Sequence, residues 1–261
     1  MFEYDLTQAN RLVLNQAFGG VRRVDIGIDA VIEDHAGEAF VDNLEDPKAF
    51  KIQILPFCYF AGDFGGKAAV EMIRQFRPYH LLMAYPDEVI DIARECFGNR
   101  LIKFPRYSFS SDSICAERIN TFLDSSPHRS RIVPLDSEIL SQVAGQPDHF
   151  LDILVFESAE DFLKRGFGYA LTHGNTLAGV AYSSLVSNAA IEVSVYVEPD
   201  YRRKGIATAL GCALIRECLS RNIDPHWDAA NVESCTLAEK LGYTAIGIYD
   251  AYYVCPEKAD K

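Results

Sequence analysis

The run Ile-Glu-Val-Ser-Val-Tyr-Val at 191–197 alternates apolar and polar side chains and is closed two residues later by Pro199. This period-2 pattern belongs to a strand with one buried face, and the proline ends it. Downstream, Ile206, Leu210, Ala213, Leu214 and Cys218 recur at helical spacing, which predicts a helix of about four turns beginning near Lys204. The chain must pass from strand to helix through a short turn carrying Arg202, Arg203 and Lys204. Unpaired backbone N–H groups and the positive end of the helix dipole meet at such a turn, so an anion is expected there. Gly205 lets the backbone approach it closely, and Ala207 keeps the next exposed position small.

Taken alone, Arg-x-x-Gly-x-Ala fits a solvated basic helix start better than a ligand site. Neither Gly-x-x-x-x-Gly-Lys-Ser/Thr nor a strand leading into Gly-x-Gly-x-x-Gly occurs in the chain. The downstream sequence shifts the balance. Asn231 to Tyr243 predicts a short helix ended by Gly242, and Thr244 to Val254 a strand. Val-x-Pro-x-Tyr-Arg-x-x-Gly-x-Ala from Val197, a helix, a strand, then Asn-x-x-Ser at Asn231 and Leu-Gly-Tyr at Leu241 together resemble the GNAT superfamily of N-acetyltransferases. The resemblance covers about residues 130–261. It implies a C-terminal domain with a mixed, mostly antiparallel central sheet flanked by helices, preceded by a smaller α/β domain. It also implies acetyl-CoA as co-substrate, with the pyrophosphate on Arg202, Arg203, Lys204, Gly205, Ile206, Ala207 and Thr208. The backbone of Val195, Tyr196 and Val197 would pair with the pantetheine arm. Asn231 would bond the pantetheine amides, or serve as the N-cap of its helix, or both.

The charge balance of 25 basic against 37 acidic residues, net -12, repels nucleic-acid phosphate and favours cationic partners such as amines. Seven cysteines, odd in number and without a Cys-x-x-Cys pair, read as reduced thiols of a cytoplasmic protein. Cys235 shares a helix with the proposed cofactor contacts and reads as a small core residue. Six scattered histidines without His-x-His or His-Glu-x-x-His propose no metal. No apolar run approaches a membrane span, and the acidic start Met-Phe-Glu-Tyr-Asp leads no apolar core. A homodimer is one option for assembly.

Residues 1–124 read as a separate α/β unit, with 125–130 as linker and 131–261 as the acetyltransferase domain. The first unit is expected to hold a helix over 6–18, strands over 21–30 and 50–60 (the latter interrupted by Pro56) and a helix to about Gln75. A strand over 80–84, a helix over 87–97, a strand over 101–109 and a helix over 112–123 complete it. No cluster in it carries chemistry, so it reads as a platform or lid; a degenerate relative of the second half is a suspicion without a visible repeat. The second unit reads as a strand over 131–134, helices over 137–143 and 158–164, then a hairpin of 167–172 with 176–186 turning at His173-Gly174-Asn175.

Acetyl transfer to an amine needs a deprotonated nucleophile, stabilisation of the carbonyl oxygen and protonation of a leaving thiolate. An alkylamine with a pKa of about 10.4 is mostly protonated at neutral pH, so a base is useful. Glu192, on the strand face shared with Ser194 and Tyr196, is the first candidate, a solvent-facing carboxylate being the bland alternative. His226 and Asp228 are reserves. A backbone N–H at a bulge near Val195 would serve the oxyanion. The general acid departs from the family pattern, because the position where many relatives carry a tyrosine is Ala238. Ser234, on the same helix face, could take a water or reach the sulfur, and a thiolate leaves tolerably without help.

Pro225-His-Trp-Asp-Ala-Ala-Asn-x-x-Ser and the long N-terminal extension resemble a bacterial GNAT subgroup that includes zwittermicin A self-resistance proteins. That implies a primary amine of a small molecule as acceptor, attacking directly in a ternary complex. The alternatives are an acyl-CoA-binding sensor of weak turnover, prompted by Ala238, and a protein or peptide N-acetyltransferase.

Overall fold

The computed structural model describes residues 1–144, 153, 155–173 and 176–256. In chain order the elements are β1 (Phe2–Glu3), α1 (Gln8–Ala17), α2 (Gly27–Ile32), β2 (Glu38–Val41), β3 (Ala49–Ile54), β4 (Phe57–Gly62), α3 (Lys67–Arg74), β5 (Leu81–Ala84), α4 (Asp87–Phe97) and β6 (Leu101–Ser110). They continue with α5 (Ala116–Asp124), β7 (Ile132–Pro134), α6 (Ser137–Ala144), α7 (Ala159–Arg165), β8 (Gly168–His173), β9 (Thr176–Val186) and β10 (Ala190–Val197). The last are α8 (Ile206–Arg221), β11 (Asp224–His226), β12 (Asp228–Ala229), α9 (Val232–Leu241) and β13 (Thr244–Val254). The chain is thus a mixed α/β protein with mostly antiparallel sheets flanked by helices.

Two units divide it, Met1–Arg106 with the segment from Tyr249 onward, and Tyr107–Ile248. The division falls upstream of the 125–130 segment expected as a linker, inside β6, and again inside β13. The physical reason lies in α5, whose Ile119 and Leu123 are buried in the core of the second unit, although its sequence precedes the polar Asp124–Ser130 stretch.

The first unit carries strands in the order β1-β2-β3-β4-β5-β13. One layer of its core joins Cys58 and Phe60 of β4 to Met72 and Ile73 of α3 and Val89, Ile90 and Ala93 of α4. Two expectations are corrected here. Residues 21–30 do not form a strand. The Asp25 carboxylate accepts the Gly27 N–H at 2.8 Å, an Asx-type turn that starts α2, and the alternation of Val24, Ile26 and Ile28 reflects burial rather than a pleat. Residues 50–60 form two strands, because Leu55-Pro56 turns the chain and pairs Ile54 with Phe57 in a hairpin.

The second unit pairs β7, β8, β9 and β10 antiparallel and then β11 parallel to β10. Ser158 caps α7 by accepting the Asp161 N–H at 3.1 Å, as expected. Of the expected hairpin turn between β8 and β9, Gly174 and Asn175 lie outside the described residues. α8 is the central helix. Ile206, Leu210, Ala213, Leu214 and Cys218 are all buried, and full burial of a leucine such as Leu214 stabilises by roughly 2 kcal/mol. No helix among the described residues is long and apolar enough to cross a membrane.

Burial pushes the thiol of Cys212 up to about 11 and those of Cys58 and Cys218 up to about 12. Only the thiolate reacts. In the folded protein, iodoacetamide at pH 8 is expected to modify exposed Cys115 first and to reach Cys58, Cys212 and Cys218 only after denaturation. Peptide mapping by mass spectrometry checks this order.

Candidate functional site

β10 ends at Val197, a single helical turn Pro199–Tyr201 follows, and the chain then enters α8 through Arg202–Gly205. Two left-handed residues make that entry, Arg203 at φ 62° and Gly205 at φ 79°. Gly205 is the N-cap of α8 and carries no side chain to satisfy the first-turn amides, and no acidic residue lies in the first turn. A Cβ built on Gly205 would meet nothing within 4 Å. The amides of Ile206, Ala207 and Thr208 therefore point their dipoles at an open, cation-rimmed position, which is the arrangement that binds a phosphate.

The three cations do different work. Arg202 turns back, its Nε donating to the Val197 carbonyl at 2.9 Å and its guanidinium lying 5.8 Å from the Tyr196 ring centre, so it closes the strand end. Lys204 donates to the Asp200 carbonyl at 2.9 Å and lies over Tyr201. Arg203 is exposed at the tip. A further residue braces the turn from outside the sequence motif. His128, buried, bonds the Lys204 carbonyl through Nε2 at 2.7 Å, while Arg131 bonds its Nδ1 at 2.7 Å. A guanidinium can only donate, so Nδ1 accepts and Nε2 carries the proton given to Lys204. The 125–130 stretch reads as a linker in the sequence because a partner 76 residues from His128 leaves no local signal. His128→Ala removes this brace, at about 1 kcal/mol. With acetyl-CoA, the ligand the sequence resemblance implies for this turn, as the probe, the expected result is a roughly fivefold loss of affinity, read by calorimetry, with a smaller change in Tm than a core truncation gives.

On its other side β10 runs free of β11 for most of its length. The parallel pairing joins Ala190, Ile191 and Glu192 to Asp224, Pro225 and His226 and goes no further, whereas pairing with β9 continues to Val197. Glu192 and Val197 are five positions apart, roughly 17 Å of strand. Along that edge the backbone groups of Val193, Val195 and Val197, which point away from β9, can bond an extended ligand. The register shift in β10 lies between Glu192 and Val193, with Ser184 of β9 as the extra residue, and not near Val195 as expected.

At the point where the strands part stands Glu192, 8% exposed. One carboxylate oxygen accepts the Asp228 N–H at 2.9 Å and the other lies 2.8 Å from His226 Nδ1. A carboxylate accepts only, so Nδ1 carries the proton and the basic nitrogen of His226 is Nε2. Glu192 is thus neither solvent-facing nor a lone base. It positions His226, a pairing that the sequence showed only as a first candidate and a reserve. Trp227, between His226 and Asp228, donates to Ser234 Oγ at 3.1 Å and packs on Tyr243, with ring centres 5.2 Å apart. Ser234 is therefore joined to the Glu192 network through three consecutive residues. Asn231 caps α9, its Oδ1 accepting the Ser234 N–H at 2.8 Å. Ala238 is fully buried in the core, so α9 offers no polar group at that position.

Comparison with known proteins gives the same direction. The GNAT acetyltransferase family profile matches residues 24–252. The chain is 24% identical over 227 residues to the uncharacterized N-acetyltransferase YdfB of Bacillus subtilis (strain 168), covering 83% of this chain and 85% of that protein. It is 31% identical over 93 residues to the [ribosomal protein bS18]-alanine N-acetyltransferase of Escherichia coli (strain K12), covering 34% of this chain and 63% of that one. The GCN5-related N-acetyltransferase-like protein from Streptococcus suis 89/1591 shares its fold, with a TM-score of 0.81 at 24% identity over 95% of this chain and 100% of that one.

Proposed function

Starting from the fact that the chain belongs to the GNAT acetyltransferase family, we propose that its second unit transfers an acetyl group from acetyl-CoA to a primary amine of a small molecule, by direct attack in a ternary complex. The observation that carries this reading is the uncapped start of α8 at Gly205, open to a diphosphate and free of first-turn acids. Acetyl-CoA would supply the acyl group as a thioester. The chain's own residues bind, orient and move protons.

Amides of Ile206, Ala207 and Thr208, with Gly205 and the rim cation Arg203, hold the diphosphate, while Arg202 and Lys204 shape the turn. The β10 edge at Val195, Tyr196 and Val197 aligns the pantetheine arm toward the parting of β10 and β11. There His226, fixed by Glu192, takes the proton of an incoming ammonium at Nε2, directly or through water. A β10 backbone N–H near Val195 bonds the carbonyl oxygen as charge builds on it. Ser234 Oγ accepts from Trp227, so its own hydrogen is left to bond the departing sulfur, whose proton comes from the attacking nitrogen as the amide forms; with Ala238 buried, leaving without help is the alternative. The seven thiols of the chain suit a cytoplasmic site of action.

The similarity to an enzyme named for a ribosomal-protein alanine supports a second reading, a peptide N-terminus as acceptor. Release of the CoA thiol decides between them. With acetyl-CoA and a panel of small primary amines, the expected result is thiol release with formation of the acetylated amine. Release with alanyl peptides alone would favour the second reading, and tight binding with no release on either would reject both.

A further inference from the structure

The first unit repeats the order of the second. Strand, two helices, three strands, helix, strand, helix describes β1 to α4, and the same words describe β7 to α9, the two-residue β12 apart. The pairing repeats as well. β1-β2-β3-β4 are successively antiparallel and β5 joins parallel to β4, as β7-β8-β9-β10 are antiparallel and β11 joins parallel to β10. Even the length of the parallel ladder agrees. Three positions pair in each, Phe57, Cys58 and Tyr59 with Leu81, Leu82 and Ala84, and Ala190, Ile191 and Glu192 with Asp224, Pro225 and His226. An independent arrangement would have little reason to share order, direction and ladder length.

The two copies differ at both functional places. Where the second has Glu192 facing the partly exposed His226, the first has Tyr59 opposite Ala84. Tyr59 is fully buried, its hydroxyl donating to the buried Asp25 carboxylate at 2.7 Å, and a Cβ on Gly27 would come within 2.2 Å of that hydroxyl. The position that holds the reacting groups in one copy is solid core in the other. At the strand-to-helix turn the second copy presents Arg202, Arg203 and Lys204. In the first, two acids bond the loop amides ahead of α3; the helix itself starts at Gly66 without a side-chain cap and without an acid in its first turn, so the difference from α8 lies in the charge of the turn. Glu88 of α4 accepts the Phe64 N–H at 3.0 Å, and Asp63 accepts the Gly65 N–H at 2.8 Å. Two carboxylates at the mouth of a turn repel a diphosphate.

We propose that the first unit is a duplicate of the acetyltransferase fold whose cofactor turn is closed by Asp63 and Glu88 and whose reaction cleft is filled by Tyr59 and Asp25, so that one chain binds a single acetyl-CoA. This rests on the second-unit reading above. Gly66 holds at α3 the N-cap place that Gly205 holds at α8, and it has an ordinary φ of -82° with nothing within 4 Å of a built Cβ. Calorimetric titration with acetyl-CoA is therefore done on the wild type, Gly66→Glu and Gly205→Glu, with Arg203→Glu as a variant at an exposed position that spares the fold. The expected result is one equivalent in the wild type, unchanged within twofold in Gly66→Glu, lost in Gly205→Glu and weakened at least tenfold in Arg203→Glu. Two equivalents, one of them surviving Gly205→Glu, would overturn the single-site proposal and leave the second-unit reading standing. One equivalent lost in Gly66→Glu but kept in Gly205→Glu, or no binding in the wild type, would overturn both.

Discussion

Gly205→Glu is expected to abolish acetyl-CoA binding while the protein stays folded. The conformational part of the effect is small: a left-handed φ of 79° costs an L-residue about 1–2 kcal/mol, and the space around a Cβ is empty. The electrostatic part is large, because the new carboxylate can take the amides of Ile206, Ala207 and Thr208 itself. Three hydrogen bonds to a charged group at about 1.5 kcal/mol each come to about 4.5 kcal/mol, on the order of a thousandfold in Kd. Gly205→Ala separates the two parts. It carries the strain without the charge, so its Tm falls by a few degrees, whereas calorimetry is expected to show most of the affinity retained. Equal loss of binding in both variants would mean that shape rather than charge governs the turn.

Glu192→Gln is expected to lower kcat by a factor between about 10² and 10⁴, with KM for acetyl-CoA little changed. The amide oxygen of glutamine keeps the bond from the Asp228 N–H, because the reversed amide would set two donors against each other. Its NH2 group then faces His226 and donates to Nδ1, which moves the ring proton to Nε2. The nitrogen needed as base is thereby blocked, although every heavy atom keeps its place. Steady-state kinetics at saturating acetyl-CoA reads the effect, and an unchanged melting temperature shows that the network still packs. A kcat within threefold of wild type would remove the Glu192–His226 pair from the reaction.

Local signals carried far in this chain. The strand at 191–197, the helix expected from near Lys204 and found at Ile206–Arg221, the cap at Asn231 and the stop at Gly242 all rest on contacts within a few residues, and they stand within two residues of where periodicity and capping chemistry place them. What escaped was set at a distance. His128 reaches Lys204 across 76 residues, and Glu192 reaches His226 across 34, so neither partnership leaves a mark on its neighbours. The Val21–Ala30 alternation misled because three buried residues spaced by two look alike in a strand and in a turn leading to a buried helix. Pro56 fits an interruption of one strand as well as the hairpin turn it makes, since either use satisfies its fixed φ and missing N–H. The repeat of topology was invisible for a related reason. Interchangeable apolar residues preserve a fold after the positions that bear its chemistry, such as Tyr59 against Glu192, have diverged.

The central claim, that main-chain amides at the start of α8 grip a diphosphate, is met most directly by a crystal structure with acetyl-CoA. The expected density places the diphosphate oxygens about 2.7–3.1 Å from the N–H groups of Ile206, Ala207 and Thr208, with the thioester beside Glu192 and His226. A nucleotide lodged elsewhere, or those amides turned to a protein side chain in the complex, would contradict it.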